Sequence, residues 1–197
     1  MTFRGQEISP PRGLATQEFI LRPIVSADAE LDYEAVMESR DFLRKWEQST
    51  WPTDDFTVEA NRKDMVKLED RHNSGESFAY TVMNPDQTEC FGCVYLFSPS
   101  AKWLADAEIT SLGGDQWSDR DALLSFWVRK SKLAEGLDRT LLDSLLEWLD
   151  EEWTFDAPVV STNEEFGQQV AMIEGAGLTR RFELKLPESS GKDLAFA

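Results

Sequence analysis

A basic segment between an apolar run and a helical pattern has the residue types of an anion-binding loop. Phe126-Trp127-Val128 reads as a strand, and the segment from Arg129 to Arg139 sets four basic side chains against two acidic ones. A strand that leads through a glycine-containing loop into a helix presents free backbone N–H groups and the positive end of the helix dipole. We therefore expect an anion to bind here. The alternative is a solvated loop in which Asp138 caps the helix.

The two cysteines form a C-x-x-C motif, Cys90 and Cys93, inside the strand-like run Cys90–Phe97. Side chains three positions apart in a regular strand point to opposite faces and lie about 10 Å apart along it. That separation exceeds the roughly 7 Å limit for a disulfide, and a redox or metal pair normally lies in a loop or at a helix start. We therefore expect two buried structural thiols and no redox site. We also expect no metal site, because the chain has one histidine and no clustered ligand spacing.

The single histidine, His72, lies near the end of a helical pattern that begins at Thr57. Histidine is a common acid–base catalyst near neutral pH, so a catalytic role is one interpretation. Its position in the last turn equally suits an interaction with the helix dipole, or exposure to solvent. The second interpretation is favoured here.

Composition limits the class of protein and its partners. The chain has 197 residues, 41% of them hydrophobic and 11% aromatic, which indicates one globular domain. A net charge of −17 argues against a nucleic-acid partner and leaves either a solvated acidic surface or an acidic cleft for a cationic substrate. No apolar run approaches the ~20 residues of a membrane helix, and the N-terminus lacks a signal-peptide core. These features predict a cytoplasmic protein with no membrane partner.

The elements that must position these residues follow one order along the chain. In the first half, the patterns predict an extended arm at residues 1–16 and a strand at 19–24. They then predict two short helices at 29–36 and 40–51, a longer helix at 57–72 and a hairpin at 77–97. In the second half, they predict an irregular segment at 98–120, a strand at 122–128 and a helix at 142–153. A strand at 158–161, a helix at 163–177 that begins at Asn163 and a last strand at 178–186 follow. Residues 187–197 are predicted to form a loose tail.

This order resembles the GNAT superfamily of N-acetyltransferases over about residues 18–186. Four segments carry the resemblance: the opening strand Phe19–Pro23, the glycine-containing Phe91–Val94, the loop Leu133–Arg139, and Asn163 followed by Met172–Leu178. The resemblance implies an α+β fold with a GNAT-like central mixed, mostly antiparallel sheet flanked by helices. It implies one acetyltransferase domain over residues 17–186, an N-terminal arm over 1–16 and a C-terminal tail over 187–197.

The resemblance further implies acetyl-CoA as co-substrate, in a split between the strands at 123–129 and 158–162. The pyrophosphate would lie on backbone N–H groups of the loop. The implied cofactor-binding residues are Trp127, Val128, Arg129, Leu133, Ala134, Glu135, Gly136, Leu137, Asp138, Arg139 and Asn163. The family's loop reads Gln or Arg, two residues, Gly, one residue, Gly or Ala. Gly136 matches this pattern, whereas Leu133 and Asp138 depart from it, and the Asp138 carboxylate would repel a phosphate.

The implied reaction is direct transfer of an acetyl group to the amine of a small acceptor. Such a reaction needs a base for the amine and an acid for the leaving thiolate. Where the family usually has its base, this chain has Leu123, Leu124 and Ser125. Where the family usually has its tyrosine acid, this chain has Ile173. The remaining candidates are Asp121, Glu108 and Asp106 as base, and Tyr95 and Ser125 as donor.

The acceptor is expected to be cationic, because the segments 42–51 and 103–117 are rich in tryptophan and the chain is acidic. A homodimer is compatible with the resemblance. The alternative to an enzyme is a GNAT-fold protein that has lost catalysis and serves as a binding or regulatory module. The absence of the family's base and acid at their usual positions motivates this alternative.

Overall fold

Nine strands form one sheet in the computed structural model, which describes residue 3, residues 8–187 and residues 189–197. In chain order they are β1 (Leu14–Ala15), β2 (Ile20–Pro23), β3 (Phe78–Met83), β4 (Cys90–Phe97), β5 (Glu108–Ser111), β6 (Leu123–Val128), β7 (Val159–Asn163), β8 (Arg180–Lys185) and β9 (Asp193–Phe196). Their spatial order is β1-β2-β3-β4-β6-β7-β9-β8-β5. Only β6 and β7 pair in parallel among these described strands. The sheet is mixed and mostly antiparallel, which confirms the predicted fold class.

Helices cover both faces of this sheet. In the described part of the chain they are α1 (Ala29–Glu38), α2 (Arg40–Trp46), α3 (Val58–Ser74), α4 (Lys130–Leu133), α5 (Leu137–Glu152) and α6 (Gly167–Gly175). The leucine stripe of α5 is buried in the largest core together with Val94 and Phe126. A second core joins α1 and α2 to Cys93 and Trp127. Because neighbouring strand residues point to opposite faces, α5 covers one face of the sheet, and α1 and α2 cover the other.

Local sequence signals explain the bounds of α3. The Thr57 side chain accepts a hydrogen bond from the Ala60 N–H at 3.2 Å, which caps the first turn. The helix ends at Gly75, whose φ of 70° is the left-handed conformation that glycine adopts most readily. The second short helix is shorter than predicted, because α2 ends at Trp46 and the chain leaves helical geometry well before Pro52.

The histidine near the end of α3 is buried, which corrects the expectation of an exposed side chain. His72 Nδ1 lies 2.9 Å from the Ala79 carbonyl oxygen and 3.2 Å from the Ala79 nitrogen, so it bonds to the neighbouring strand β3. Burial lowers the pKa of His72, although the bond to Ala79 opposes the shift. The imidazole therefore serves as a neutral packing residue.

Residues at both ends of the chain join the sheet. Residues 1, 2 and 4–7 of the expected N-terminal arm lie outside the described residues, and Leu14–Ala15 of the arm pairs with β2. The expectation of a loose C-terminal tail is wrong at Asp193–Phe196, which forms β9 between β7 and β8. Leu194, Ala195 and Phe196 are all buried. A four-residue strand that is covered on both faces shows no alternating pattern, so the sequence carries little signal for it.

A β-bulge interrupts the hairpin of β3 and β4. The register pairs Val82 with Gly92 and then Met83 with Cys90, so Phe91 is the extra residue. Gly92 has a φ of 150°, and a Cβ there would lie 2.1 Å from the Trp127 carbonyl oxygen, so only glycine fits. The bulge turns Cys90 and Cys93 toward the same face, where both join the core of α1 and α2.

This bulge corrects the prediction that the cysteines point to opposite faces, which assumed a regular strand. Both thiols are free and buried, so the prediction of buried thiols is confirmed.

Two further features complete the fold. The irregular segment 98–120 contains β5 and two single 3-10 turns, Lys102–Leu104 and Trp117–Asp119. The Trp117 indole N–H donates to the Pro99 carbonyl oxygen at 3.0 Å and ties the two ends of this segment together. Within the described residues, the helices are all too short or too polar to serve as a membrane span.

Candidate active site

The strands β6 and β7 separate partway along their length. Their register consists of Leu123 opposite Val159 and Leu124 opposite Val160, although both strands continue for several residues. Beyond this point the side chain of Gln169, from α6, lies between them: its Nε2 donates to the Phe126 carbonyl oxygen at 3.2 Å, and its Oε1 accepts from the Thr162 hydroxyl at 2.5 Å. A split at the carboxyl ends of parallel strands is a common place for a ligand.

A cavity of about 1460 Å³ lies at this split. Part of its lining is a row of polar side chains from four adjacent strands, namely Tyr95 of β4, Ser125 of β6, Ser161 and Asn163 of β7, and Asp193 of β9. Tyr95 lies directly opposite Ser125, and Asn163 directly opposite Asp193. This polar row therefore crosses the split on one face of the sheet. Tryptophans 46, 51 and 103 form part of the walls.

Two acidic side chains line the cavity near the end of the polar row. Burial raises the pKa of Asp193 to about 6, against the effect of the hydrogen bond from Gln48 Nε2 at 3.2 Å. Glu47 is exposed to solvent as a residue, yet partial desolvation of its carboxyl by the surrounding protein raises its pKa as well. The negative charge of Asp193 adds to this effect. Of the two, Asp193 is the more enclosed. Sequence reasoning missed both residues, because Glu47 follows a helix end and Asp193 lies in the predicted tail.

Tyr95 is the predicted donor that the structure places in the cavity together with Ser125. Its hydroxyl accepts a hydrogen bond from the Trp127 indole N–H at 3.3 Å, which leaves the phenolic proton available to a substrate. Its ring stacks on Phe97 with centroids 6.1 Å apart, and the Trp46 ring lies 6.3 Å away. Burial, together with the buried Cys93 and Asp32, raises the pKa of Tyr95, so the phenol is protonated at neutral pH.

The predicted bases lie elsewhere. Asp121 accepts hydrogen bonds from the backbone N–H groups of Asp156 and Ala157, at 2.5 Å and 3.1 Å, and so fixes the loop before β7. Glu108 is exposed on β5 opposite Lys185, and Asp106 is exposed just before it. None of these three carboxylates belongs to the described lining of the cavity. The structure thus brings Tyr95 and Ser125 together and leaves the three acids outside.

The predicted pyrophosphate loop contains a short helix and a sharp turn. After α4, Gly136 adopts a left-handed φ of 74° and α5 begins at Leu137, with no side-chain cap from position 136. A Cβ at Gly136 would meet nothing within 4 Å, so the turn itself is not crowded. Asp138 is largely buried, and its Oδ1 accepts the Arg139 N–H at 3.0 Å. Asp138 therefore bonds to the next residue rather than across the first turn.

Three of the four basic side chains of this loop are paired with acids, and three of those acids come from outside the loop. Arg129 forms ion pairs with Glu38 at 2.6 Å and Glu89 at 3.1 Å. The pairs of Lys132 with Glu135, at 3.2 Å, and of Arg139 with Asp143, at 2.9 Å, complete the set. The expected local excess of positive charge is therefore offset in the fold. An anion bound here would be held mainly by backbone N–H groups.

Glu38 is the acid most closely fitted to this loop. Its Oε1 accepts the Ser131 N–H at 2.9 Å, and its Oε2 lies 2.6 Å from Arg129 Nε. Burial alone would raise its pKa, but the hydrogen bonds from Ser131 and Arg129 outweigh that effect and lower it. Glu38 is therefore ionised at neutral pH and links the end of α1 to the start of α4.

The other predicted cofactor residues have structural partners. The Asn163 side chain donates to the Lys45 carbonyl oxygen at 2.9 Å and accepts the Glu165 N–H at 2.8 Å, so it joins β7 to α2. It does not cap α6, which begins at Gly167 after Phe166. Trp127 packs beneath α1 and α2, and Val128 packs in the core with α5. Ile173 is fully buried in the same core as Val128.

Solved acetyltransferases share this fold. The ribosomal-protein-S5-alanine acetyltransferase from Vibrio fischeri superposes with a TM-score of 0.68 and 14% identity, over 93% of this chain and 94% of that chain. The microcin C7 self-immunity acetyltransferase MccE, solved with acetyl-CoA and AMP, gives a TM-score of 0.67 and 14% identity, over 95% and 96%. RimL, a ribosomal L7/L12 α-N-protein acetyltransferase solved with coenzyme A, gives a TM-score of 0.64 and 14% identity over 96% of each chain.

Neither a family model nor a curated protein matches the chain. At these identities the structural likeness establishes the fold, which is the GNAT-like α+β fold that the order of elements predicted.

Proposed function

We propose that this protein is an acetyl-CoA-dependent N-acetyltransferase that acts on a small cationic amine. The observation that carries the proposal is the polar row from Tyr95 to Asp193, which crosses the sheet where β6 and β7 separate. It supplies a phenol on one side of the split and a carboxylate on the other. Transfer of an acyl group from a thioester to an amine needs one group of each kind.

The start of α5 supports binding of a coenzyme A diphosphate. Gly136 turns the chain into a 16-residue helix without a side-chain cap. The Arg139 and Thr140 N–H groups already donate to the Gly136 carbonyl oxygen, so the N–H groups of Leu137 and Asp138 are the ones that a diphosphate would use. Arg129 and Lys132 lie on the same loop, although acids pair with both. The residues present thus fit a diphosphate held by backbone, and the bound coenzyme would supply the thioester carbon that the amine attacks.

Asp193 and Tyr95 would divide the proton transfers. With a pKa of about 6, Asp193 is mostly ionised at neutral pH and accepts a proton from the ammonium group of the acceptor, directly or through water. The neutral amine then forms the new C–N bond while the thioester C–S bond breaks. Tyr95 donates its phenolic proton to the departing sulfur, and the Trp127 indole holds the phenol in place. The coenzyme leaves as a thiol, and the nitrogen loses a second proton as it becomes the amide. That second proton restores the Tyr95 phenol through solvent, and the proton taken by Asp193 also passes to solvent.

The cavity lining supports a cationic acceptor. At the end of the polar row, Glu47 and Asp193 supply negative charge, and the rings of Trp46 and Trp51 offer faces that attract ammonium groups. The basic residues of the lining come from α3 and from the 3-10 turn at Lys102–Leu104 rather than from the polar row, namely Lys67, Arg71 and Lys102. The cavity volume of about 1460 Å³ exceeds that of a typical small-ligand pocket, so an amine fits beside the thiol end of the coenzyme. A compact amine with an aliphatic or aromatic body is the expected acceptor.

Calorimetry and turnover on the purified protein test the proposal. We expect acetyl-CoA and coenzyme A to bind with dissociation constants between about 1 μM and 1 mM. We expect thiol release with at least some members of a panel of diamines, arylalkylamines and short peptides with free N-termini. No binding at millimolar acetyl-CoA would rule out the transferase.

A second candidate function, a binding or regulatory module with this fold, is favoured by the acids that pair with Arg129, Lys132 and Arg139 and by the buried Ile173 in place of an acid. Binding of coenzyme A without turnover across the whole panel would support the second candidate. Turnover with peptides alone would retain the transferase and exclude the small-amine acceptor.

A further inference from the structure

Three potential metal ligands from two distant segments meet in the core between α1 and the sheet. Asp32 comes from α1, and Cys90 and Cys93 come from β4. The Asp32 Oδ1 atom lies 3.4 Å from Cys93 Sγ and 3.8 Å from Cys90 Sγ. All three ligand atoms lie within 4.8 Å of one another. Their side chains are buried, with 5%, 0% and 1% of Asp32, Cys90 and Cys93 exposed.

The bulge in β4 creates this arrangement. In a regular strand the two cysteines would point to opposite faces, whereas the extra residue Phe91 places both on the face that α1 covers. Gly92 is needed for that backbone path, since a Cβ there would collide with the carbonyl oxygen of Trp127. The bulge and the backbone conformation of Gly92 therefore bring the two thiols together.

The distances match those around a tetrahedral zinc ion. With Zn–S bonds of about 2.3 Å and Zn–O bonds of about 2.0 Å, tetrahedral geometry places a sulfur and an oxygen ligand about 3.5 Å apart. The two observed S···O distances of 3.4 Å and 3.8 Å lie on either side of that value. Thiolates favour Zn²⁺ over the harder Mg²⁺ and Ca²⁺. The donor set of two sulfurs and one carboxylate thus selects a borderline-soft divalent ion.

The surroundings hold the carboxylate in the orientation that a ligand requires. Asn61 Nδ2 donates to Asp32 Oδ2 at 2.8 Å and to the Ala29 carbonyl oxygen at 3.1 Å, which leaves Oδ1 directed at the sulfurs. An outer partner of this kind is typical of ligating carboxylates. None of the ion pairs among the described residues includes Asp32, so no side-chain cation neutralises this cluster.

We propose that Asp32, Cys90 and Cys93 form a zinc site that cross-links α1 to β4, with a small ligand such as water in the fourth position. Zn²⁺ binds as the two thiols lose their protons to solvent, and no redox step is involved. The site is structural, because Asp32, Cys90 and Cys93 are buried and lie outside the described lining of the cavity. Since Tyr95 follows Cys93 by two positions on the same strand, the metal would stiffen the segment that carries the proposed acid.

Metal analysis of the native protein tests this site. The full chain is expressed in zinc-supplemented medium and purified without a metal-affinity step, because a buried site is filled during folding. We expect about one zinc per chain by mass spectrometry. Protein made in cobalt-supplemented medium should show the near-ultraviolet absorption of thiolate-to-cobalt charge transfer, which reports sulfur ligation directly.

Variants assign the ligands. Asp32→Asn preserves shape and hydrogen-bonding capacity and should lower the zinc content by about tenfold or more. Glu34→Gln, which removes an acid from the exposed side of the same helix, should leave it unchanged. Cys93→Ser should abolish the cobalt charge-transfer band. If that variant fails to fold, Asp32→Asn decides the question alone.

Three results would overturn the site. One is wild-type protein with less than about a tenth of an equivalent of zinc from supplemented medium. Another is a folded Asp32→Asn variant with the zinc content of the wild type. An intact mass that shows a Cys90–Cys93 disulfide in the native protein would also contradict it, because a disulfide leaves no thiolate ligands.

Discussion

The burial that raises the pKa of Asp193, the proposed base, also costs the folded protein stability. A carboxyl with a pKa of about 6 holds its proton more tightly in the folded chain than in the unfolded chain, where the ordinary value is 3.8. The folded state is therefore favoured at low pH, and this contribution is lost as pH rises from about 4 to about 6. At neutral pH the ionised, half-buried carboxylate is a local source of instability. Catalytic residues often carry such a cost.

Replacing Asp193 should separate stability from activity. Asp193→Asn is expected to raise the free energy of unfolding at pH 7 by about 1 to 3 kcal/mol, with little change near pH 4. The same variant should lose about 10²- to 10⁴-fold in kcat/KM, together with the rise in activity through a pH of about 6. Urea denaturation and pH–rate profiles measure the two effects. Asp150→Asn, at an exposed position on α5, is the control and should change neither.

Tyr95→Phe removes the phenolic proton and keeps the ring that stacks on Phe97. We expect kcat to fall by about 10²-fold or more, with acetyl-CoA affinity by calorimetry near the wild-type value. Circular dichroism checks folding, because the Trp127 indole N–H loses its acceptor in this variant. Tyr33→Phe, whose hydroxyl bonds to the Phe56 carbonyl oxygen away from the cavity lining, is the control. Full activity of Tyr95→Phe would direct attention to Ser125 as the donor.

At the scale of elements, the start of α5 would set the affinity of the proposed coenzyme site. Asp138 accepts the Arg139 N–H, which also donates to the Gly136 carbonyl oxygen, and the Asp138 carboxylate lies in the first turn of the helix. Asp138→Ala should therefore tighten coenzyme A binding about tenfold, which is about 1.4 kcal/mol. Calorimetry at low and high salt gives the affinity and its electrostatic part.

Asp143→Ala, which removes a charge one turn further along, serves as the comparison for Asp138→Ala. Equal or weaker binding by Asp138→Ala would show that the diphosphate lies away from the first turn of α5.

Elements with a strong periodic signal could be predicted from the sequence, and those shaped by their neighbours could not. The leucine stripe of α5 and the turn between β3 and β4 are local patterns, and both elements are present. The bulge at Phe91 exists because β4 must pass Trp127 closely, which is a contact between strands that the sequence of β4 alone does not reveal. The pairing of Arg129 with Glu38 and Glu89 depends in the same way on chain segments far apart in sequence.

The candidate site shows the same limit. Tyr95 and Ser125 lie on strands that the patterns located, so they were among the predicted donors. Asp193 is a candidate base only because β9 pairs with β7, which places Asp193 opposite Asn163. The sequence does not reveal this pairing. A carboxylate acquires its chemistry from the groups that surround it. Residue type and spacing alone therefore favoured Asp121, which the fold uses to hold backbone N–H groups.

At the scale of the whole molecule, β9 is the strand on which the far side of the sheet depends. Phe196 is fully buried in the main core, so Phe196→Ala should destabilise the protein by about 3 to 5 kcal/mol. Leu112→Ala, at an exposed apolar residue beside β5, should change stability by less than about 0.5 kcal/mol. Denaturant unfolding of both variants measures the difference. A small effect of Phe196→Ala would show that β9 is dispensable for folding.

The sheet order also sets how the native state opens. In the described sheet, β8 and β5 pair with the remaining strands only through β9, so an opening that detaches β9 from β7 breaks the hydrogen-bonded link of all three. Phe182 and Leu184 of β8, which pack with Leu123 and Val159, would separate from them in the same opening. Native-state hydrogen exchange should then show the paired amides of β5, β8 and β9 sharing one opening free energy, below that of β3, β4 and β6. Because Asp193 begins β9, each such opening also removes the proposed base from the site. On heating or in denaturant, activity should therefore be lost with this partial unfolding, before the whole protein unfolds.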